Sequence, residues 1–417
     1  MITTRRAVHR PHVRNRAILL NAAVLLLGAG ARPARAQPFV LVTEKHSNGV
    51  TVIDAATNKV TATIGVAGSP SEIAVSPDGR LAYVANASDH ANYVAVIDTA
   101  ELKVVHTIPV GHKPLGVAFA PDGRRAYVTN QADGTLSVID VAANTVLTTI
   151  STGGQSPSGV AVSPDGATVY VANATDLDFS AKGTLAVIDV ASATVRTLID
   201  TGRNPFAVVV SPDGRTVYVA NSSSLQSRGP GTVALIDAAT DAVTTTVPVG
   251  DNPLDIALSP DGATAYVSSF STDVVDVIDT ATLAVTHSVS VGNGPFGLAL
   301  AAGGRYAYVA DRQSFGTAAR GDVAVVDTST DSVLTRIQVG ENPTSVAVVD
   351  ASLPTCPGDC NADGRVGIDE LLLAVNIALG NATIDQCPLL DTNGDDTATV
   401  NELLAAVDDT LQGCAAR

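Results

Sequence analysis

The chain has 417 residues, 46% of them hydrophobic but only 4% aromatic, with no tryptophan and 41 acidic against 25 basic residues, a net charge of −16. So acidic a chain repels a phosphate backbone, which sets nucleic acid aside as a partner. The length admits more than one domain, and all four cysteines fall after Thr355.

Residues 1–36 read as a secretory signal. Arg5, Arg6, Arg10, Arg14 and Arg16 form a positive end, Ala17 to Ala31 an apolar segment, and Ala34-Arg35-Ala36 a small-x-small cleavage site. The apolar run is shorter than the ~20 residues of a membrane span, and no later stretch is apolar enough to cross one. Export places the protein in the periplasm, on the cell surface or outside the cell. Without the leader's seven arginines the chain keeps 18 basic against 41 acidic residues, a net of −23.

From Phe39 the chain repeats itself. The stretch Leu115 to Ile150 shows the unit: four short Val- and Thr-rich runs (116–120, 125–129, 135–139 and 145–150) separated by Pro121-Asp122-Gly123 and Asp133-Gly134. Val and Thr suit strands, Pro presets φ, and Gly tolerates positive φ, so one unit is a four-stranded antiparallel meander with strands a to d. The end of strand b recurs as Leu41-Val42-Thr43-Glu44, Tyr83-Val84-Ala85-Asn86, Tyr127-Val128-Thr129-Asn130 and Tyr170-Val171-Ala172-Asn173. It continues as Tyr218-Val219-Ala220-Asn221, Tyr266-Val267-Ser268-Ser269 and Tyr308-Val309-Ala310-Asp311. Strand c ends each time in an aspartate: Asp54, Asp98, Asp140, Asp189, Asp237, Asp279 and Asp327. Seven four-stranded units at periods of roughly 42 to 49 residues predict an all-β, seven-bladed β-propeller over residues 37–350.

This region resembles the YVTN-repeat propellers of prokaryotic surface-layer and cell-surface proteins, whose name Tyr127 to Asn130 spells out. The resemblance covers Phe39 to about Asp350. Related propellers include lactonases and redox-cofactor proteins, so it also implies an alternative reading as a propeller enzyme.

The permuted strand order predicts how the ring closes. The repeats begin with strand b at Val40–Thr43 and end with strand a at Ser345–Val349, so these two should pair within one composite blade. From each strand-c Asp to the next strand-b Tyr the spacing is constant to within one position. From strand b to the strand-c Asp it is 13, 15, 13, 19, 19, 13 and 19. Variation is thus confined to the b–c loops, at 174–183, 222–231 and 312–321, all on one face. Insertions on one face of a repeat fold mark a binding face, here for a surface protein or a polysaccharide.

Catalytic motifs are scarce. GxSxG, Walker, HExxH and CxxCH patterns do not occur. His46, His90 and His112, with Glu44, fall on the variable face and form a conceivable metal or acid/base cluster. The repeated strand-c aspartates suit Asx turns rather than an active site. The reading reached is an exported binding or scaffold protein rather than an enzyme.

A short linker, residues 351–355, leads to a segment of different composition, 356–417. Asp359, Asn361, Asp363, Arg365 and Glu370 fit the D-x-[DN]-x-[DN]-G-x5-E calcium loop, with Gly364 at its sharp turn. Asp391, Asn393, Asp395, Thr397 and Glu402 repeat it at matching offsets, with Asp396 in place of Gly. Side-chain oxygens at loop positions 1, 3 and 5, a backbone carbonyl at 7 and a bidentate Glu at 12 supply the hard oxygens that Ca²⁺ needs. Helices are expected at 371–379 and 403–411. The segment resembles a dockerin-type duplicated calcium module, which implies calcium as cofactor and a cohesin-type partner. Ile368-Asp369 and Val400-Asn401 stand where that family usually carries a Ser/Thr pair, so calcium binding is carried further than docking. Cys356, Cys360, Cys387 and Cys414, in an exported chain, predict two disulfides with the pairing open.

Overall fold

A computed structural model describes residues 38–88, 91–175, 182–222, 230–301, 303–313, 320–349 and 368–379, with 381–383, 387, 390, 398–399, 402–404 and 406–407 of the tail. The leader, the linker, His90, the centres of the three insertions and eight of the ten expected calcium ligands (Asp359, Asn361, Asp363, Arg365, Asp391, Asn393, Asp395 and Thr397) lie outside the described residues.

Seven four-stranded antiparallel sheets form the propeller. Each innermost strand starts at a proline: Pro70–Val75, Pro114–Phe119, Pro157–Val162, Pro205–Val210, Pro253–Leu258, Pro295–Ala301 and Pro343–Val349. Proline lacks an N–H, so the first place in a strand is where the ladder tolerates it. The seventh of these strands, Pro343–Val349, pairs antiparallel with Phe39–Glu44, Val348 opposite Val40 and Ala347 opposite Leu41. Ring closure through the two ends of the repeats is therefore as the strand order predicts. We number blades from this composite one, so that Pro70–Val75 is strand a of blade 2 and Pro295–Ala301 that of blade 7.

The core lies between blades rather than within them. Leu41, Val50 and Val52 of blade 1 pack on Ile73, Val84, Ala95 and Ile97 of blade 2, and equivalent clusters fill the other gaps. A hydroxyl often stitches one blade to the next inner strand. Thr43 Oγ1 donates to Ser71 O (2.7 Å) and Thr129 Oγ1 to Ser158 O (2.7 Å). Where strand b has Ala instead, at Ala85 and Ala172, the neighbouring Ser71 and Ser158 supply the hydroxyl, reaching Pro114 O and Phe206 O. Each such bond adds about 1 kcal/mol net. The strand-c aspartates behave as the sequence suggests: Asp54 accepts from Thr57 N and Oγ1 at 2.7 Å, and Asp140 from Ala143 N at 2.8 Å.

Blades 4, 5 and 7, which carry the insertions, have ten-residue outer strands, Thr194–Arg203, Ala242–Asp251 and Ser332–Glu341, against seven elsewhere. Their strand c starts correspondingly early, with Lys182 opposite Arg203, Pro230 opposite Asp251 and Arg320 opposite Glu341. The insertions thus spring from raised c–d ribbons on the b–c face. Gly183, Gly231 and Gly321 sit where these ribbons pass the next blade's proline; a Cβ on Gly183 would run into the Pro205 ring.

In the tail one helix, Ile368–Ala378, begins three residues before the expected start, and 402–404 and 406–407 are helical. Ala374, Ile377, Cys387, Leu390 and Ala406 form a small buried cluster. Cys387 carries no free thiol. No helix among the described residues is long and apolar enough to cross a membrane.

Candidate functional site

The propeller axis opens on the b–c face into a small pocket of about 100 Å³. Its wall is made mainly by the second and third residues of the inner strands, with Val160 and Val208 from the fourth place, together with Lys45 and Arg312. Register explains why these residues meet. The second position is Ser71, Leu115, Ser158, Phe206, Leu254, Phe296 and Thr344 from blades 2 to 7 and then 1. The third is Glu72, Gly116, Gly159, Ala207, Asp255, Gly297 and Ser345. Inner strands crowd at the axis, and a Cβ on Gly116 or Gly159 would run into a neighbouring carbonyl. Two of the seven blades nevertheless place a carboxyl at this crowded position.

Glu72 and Asp255 are open to the pocket but surrounded by protein. Burial raises Glu72 well above the ordinary carboxylate range, and the nearby Asp255 raises it further, against a hydrogen bond from Val117 N–H. Burial lifts Asp255 to about 7, although it accepts from Leu298 N and Ile256 N, both at 2.8 Å. Burial thus favours the protonated form of both carboxyls, and each disfavours the ionisation of the other across the pocket. Each carboxyl also reaches the inner strand of the following blade, as Ser345 Oγ does in accepting from Ile73 N.

Above them the charge reverses. Lys45, Gln131, Phe270 and Arg312 occupy one register place, directly after strand b, where each donates its backbone N–H to the residue preceding an inner-strand proline. Burial lowers the Lys45 pKa, and repulsion from Arg312 and Lys113 lowers it more; burial brings Arg312 down to about 10. Arg312 stacks over the Phe296 ring at 5.1 Å and donates to Asn342 Oδ1. Phe206 and Phe270 meet Phe296 edge-on at 5.9 and 6.5 Å, so rings from blades 5, 6 and 7 converge beside the cations. Lys113 adopts φ 50, at a place that Asn204, Asn252 and Asn342 hold in blades 5, 6 and 1. A left-handed lysine costs about 1 kcal/mol, which Asn tolerates better. The mouth thus carries three cations and an aromatic wall on a chain whose net charge is acidic.

Of the cluster expected around Glu44, His90 lies outside the described residues, and Glu44, His46 and His112 do not gather. Glu44 is buried and accepts from Thr51 Oγ1 and from Gly340 N at 2.7 Å, a structural tie between blades 1 and 7. His112 pairs with Asp133 at 2.9 Å, and His46 lies 3.2 Å from Asn342 Nδ2. Each is spent locally, and among the described residues no group of three or more His, Cys, Asp or Glu could hold a metal ion. Lys45, Glu72, Asp255 and Arg312 escape a search for motifs because each comes from a different unit. Aligning the seven units position by position exposes them: Glu and Asp interrupt a column of Gly, Ala and Ser.

In the tail, Glu370 and Glu402, the twelfth residues of the two loops, are both buried. Glu402 Oε2 accepts from Thr399 N (2.7 Å) and Oγ1 (2.8 Å), a capping box at the start of its helix.

The sequence matches the YNCE-like beta-propeller family over residues 15–125. No curated protein matches the chain. Among solved structures, hydrazine synthase of Kuenenia stuttgartiensis is 26% identical, with 69% of this chain and 91% of that chain covered and a TM-score of 0.60. A protein of unknown function from Desulfotomaculum acetoxidans DSM 771 is 18% identical, with 75% and 99% covered and a TM-score of 0.60. Dihydro-heme d1 dehydrogenase NirN in complex with DHE is 19% identical, with 74% of each chain covered and a TM-score of 0.52. These last two likenesses concern the fold.

Proposed function

We propose that this is an exported binding protein whose b–c face recognises an acidic polysaccharide of a cell surface, with the channel mouth as the contact that reads charge. The observation that carries this reading is the convergence of Lys45, Lys113 and Arg312 beside three aromatic rings, on the face that also bears the insertions. Cations that repel one another gain from an anionic ligand, and rings beside them favour the C–H faces of sugars over a bare anion. A surface protein with an acidic patch is the other partner this face could take.

The test is binding to immobilised acidic, neutral and basic polymers at two salt concentrations. Three substitutions borrow residues that the fold already accepts in the same register: Lys45→Gln and Arg312→Gln from Gln131, and Lys113→Asn from Asn342. The three together should leave the melting temperature unchanged or higher and weaken acidic-polymer binding at least tenfold. Equal binding by the triple variant, or preference for a basic polymer, counts against the reading.

An enzyme of the lactonase or redox-cofactor type is favoured by one observation, two carboxyls raised by burial in a single pocket, a setting that acid/base chemistry uses. A redox cofactor has less to hold it, because no histidine lines this pocket among the described residues. Turnover of lactones or sugar esters that is lost in Glu72→Ser would move the assignment to this class.

We also propose that the tail binds two Ca²⁺ ions, through Asp359, Asn361, Asp363, Arg365 O and Glu370, and through Asp391, Asn393, Asp395, Thr397 O and Glu402. Burial of Glu370 and Glu402 supports this. The second loop needs Asp396 where Gly is usual, at a cost of about 1 kcal/mol, so it binds several-fold more weakly. Calcium titration by calorimetry should show two sites, with the weaker tightened by Asp396→Gly and the tighter crippled by Glu370→Gln. Absence of calcium-dependent heat rejects the assignment.

A further inference from the structure

We infer that the axial pocket takes one terminal, carboxylate-bearing sugar unit of that polysaccharide, a hydroxy acid of the uronic type, held end-on. The inference rests on the binding reading above and adds what is read and how.

Size restricts the guest first. Ligand pockets for whole small molecules run to about 300–1,000 Å³, whereas this one measures about 100 Å³. It admits the end of a ring, not an internal chain segment that must enter and leave.

Chemistry restricts it further. A bare inorganic anion would be satisfied by Lys45 and Arg312 alone and would gain nothing from Phe206 and Phe296. A neutral sugar would stack on the rings and make no use of the cations. A sugar carboxylate uses both, its charge at Lys45 and Arg312 and its C–H face on the rings. Its hydroxyls meet a floor of Ser71, Ser158, Thr344, Ser345, Glu72 and Asp255. The Ser71, Ser158 and Thr344 hydroxyls donate to backbone carbonyls in stitching the blades together, which leaves their oxygen lone pairs to accept, while Ser345 Oγ already accepts from Ile73 N. A carboxyl pair that retains a proton both donates and accepts, which suits vicinal hydroxyl groups. Two fully ionised carboxylates would instead repel the guest's own charge.

The pocket is therefore graded along the axis, cationic at the mouth and protonated below, and it orients the guest with its carboxylate outward. Affinity should fall as the floor ionises. The groups facing that floor are Lys45 and Arg312 from the mouth and the two carboxyls themselves; among the described residues the inner strands add no other titratable side chain to the lining. With Asp255 losing its proton near 7, binding is stronger at pH 5.5 than at pH 8.5.

Calorimetry of the full chain with sodium glucuronate, glucose and sodium sulfate at pH 5.5 and 8.5 decides it. Glucuronate should bind at least tenfold more tightly than glucose or sulfate, and more tightly at the lower pH. Arg312→Gln should cost at least tenfold. Glu72→Ser, which copies Ser345 in the same register and so keeps the fold, should weaken glucuronate at least fivefold and flatten its pH dependence. Sulfate binding as well as glucuronate overturns the inference, as does equal binding of glucose or a Glu72→Ser variant with unchanged affinity. If acidic polymers bind but glucuronate does not, the end-group inference falls while the binding reading stands. If neither binds, both fall.

Discussion

At the residue scale the unusual feature is the placing of Glu72 and Asp255 in a column otherwise filled by Gly, Ala and Ser. Their structural use, accepting Val117 N–H and Leu298 N–H across a blade junction, is one that Ser345 performs without charge. Retaining carboxyls there has a cost that depends on pH. Asp255 has a folded pKa of about 7, raised above its unfolded value. Its protonated form is the one the fold prefers, so the stability it contributes is complete at acidic pH and lost as pH rises through 7. Glu72, raised in the same direction, adds to the loss. Asp255→Asn cannot ionise, but its single carbonyl oxygen serves only one of the Leu298 and Ile256 N–H groups, which Asp255 meets with separate oxygens. Its melting temperature should lie at or below the parent's near pH 4 and gain on it by several degrees on the way to pH 8.5, with a flatter profile between. A variant whose profile parallels the parent's refutes this. None of it is visible as a motif, since Glu72 belongs to blade 2 and Asp255 to blade 6. By contrast the strand-c aspartates are legible at once, because Asp54 and its six equivalents act on N–H groups two or three residues away.

At the scale of the element, the repeat was readable because strand and turn signals are local: alternation, Val and Thr content, and Pro-Asp-Gly turns at fixed offsets. The spacing also located the insertions, since each of the three longest b–c spacings proves to be a blade with a ten-residue outer strand. What spacing could not show is that the first residue of the third insertion, Arg312, belongs to the channel mouth rather than to the loop. Its place is fixed by the backbone bond from Arg312 N to Gly294 O, and by Phe296 beneath it. The insertions and the pocket are therefore separable. Deleting residues 176–181, 224–229 and 314–319 brings all three b–c connections to the length found in the third unit and keeps Arg312. Loop closure favours short connections, so the melting temperature should hold within a few degrees. Binding of a large acidic partner should drop at least tenfold while small-anion binding at the pocket stays within twofold. Undiminished binding of the large partner would show that the insertions take no part in it.

For the whole molecule, stability is a matter of closure. An open fan of blades would leave the inter-blade clusters at both ends half-exposed, and the core of this fold lies only between blades. The composite blade prevents this: Pro343–Val349 pairs along Phe39–Glu44, Thr43 Oγ1 and Thr344 Oγ1 lie 3.0 Å apart, and Ser345 N donates to Thr43 Oγ1 at 2.9 Å. Val346, Ala347 and Val349 are buried against blades 7, 1 and 2. Exposing two valines and an alanine costs about 5 kcal/mol at roughly 1.5–3 kcal/mol per large side chain, before the lost ladder is counted. Against a typical margin of about 5–15 kcal/mol, that is enough to unfold the ring. A chain ending at Asp350 keeps this strand and loses the tail; it should melt within a few degrees of the full chain. A chain ending at Glu341 differs from it by nine residues yet should melt at least 15 degrees lower, or fail to fold. Because the strand belongs to the first and last blades at once, the loss should appear as one cooperative transition displaced as a whole, not as a second, weaker one. Equal melting of the two shortened chains would show that the ring is held by its blade faces alone.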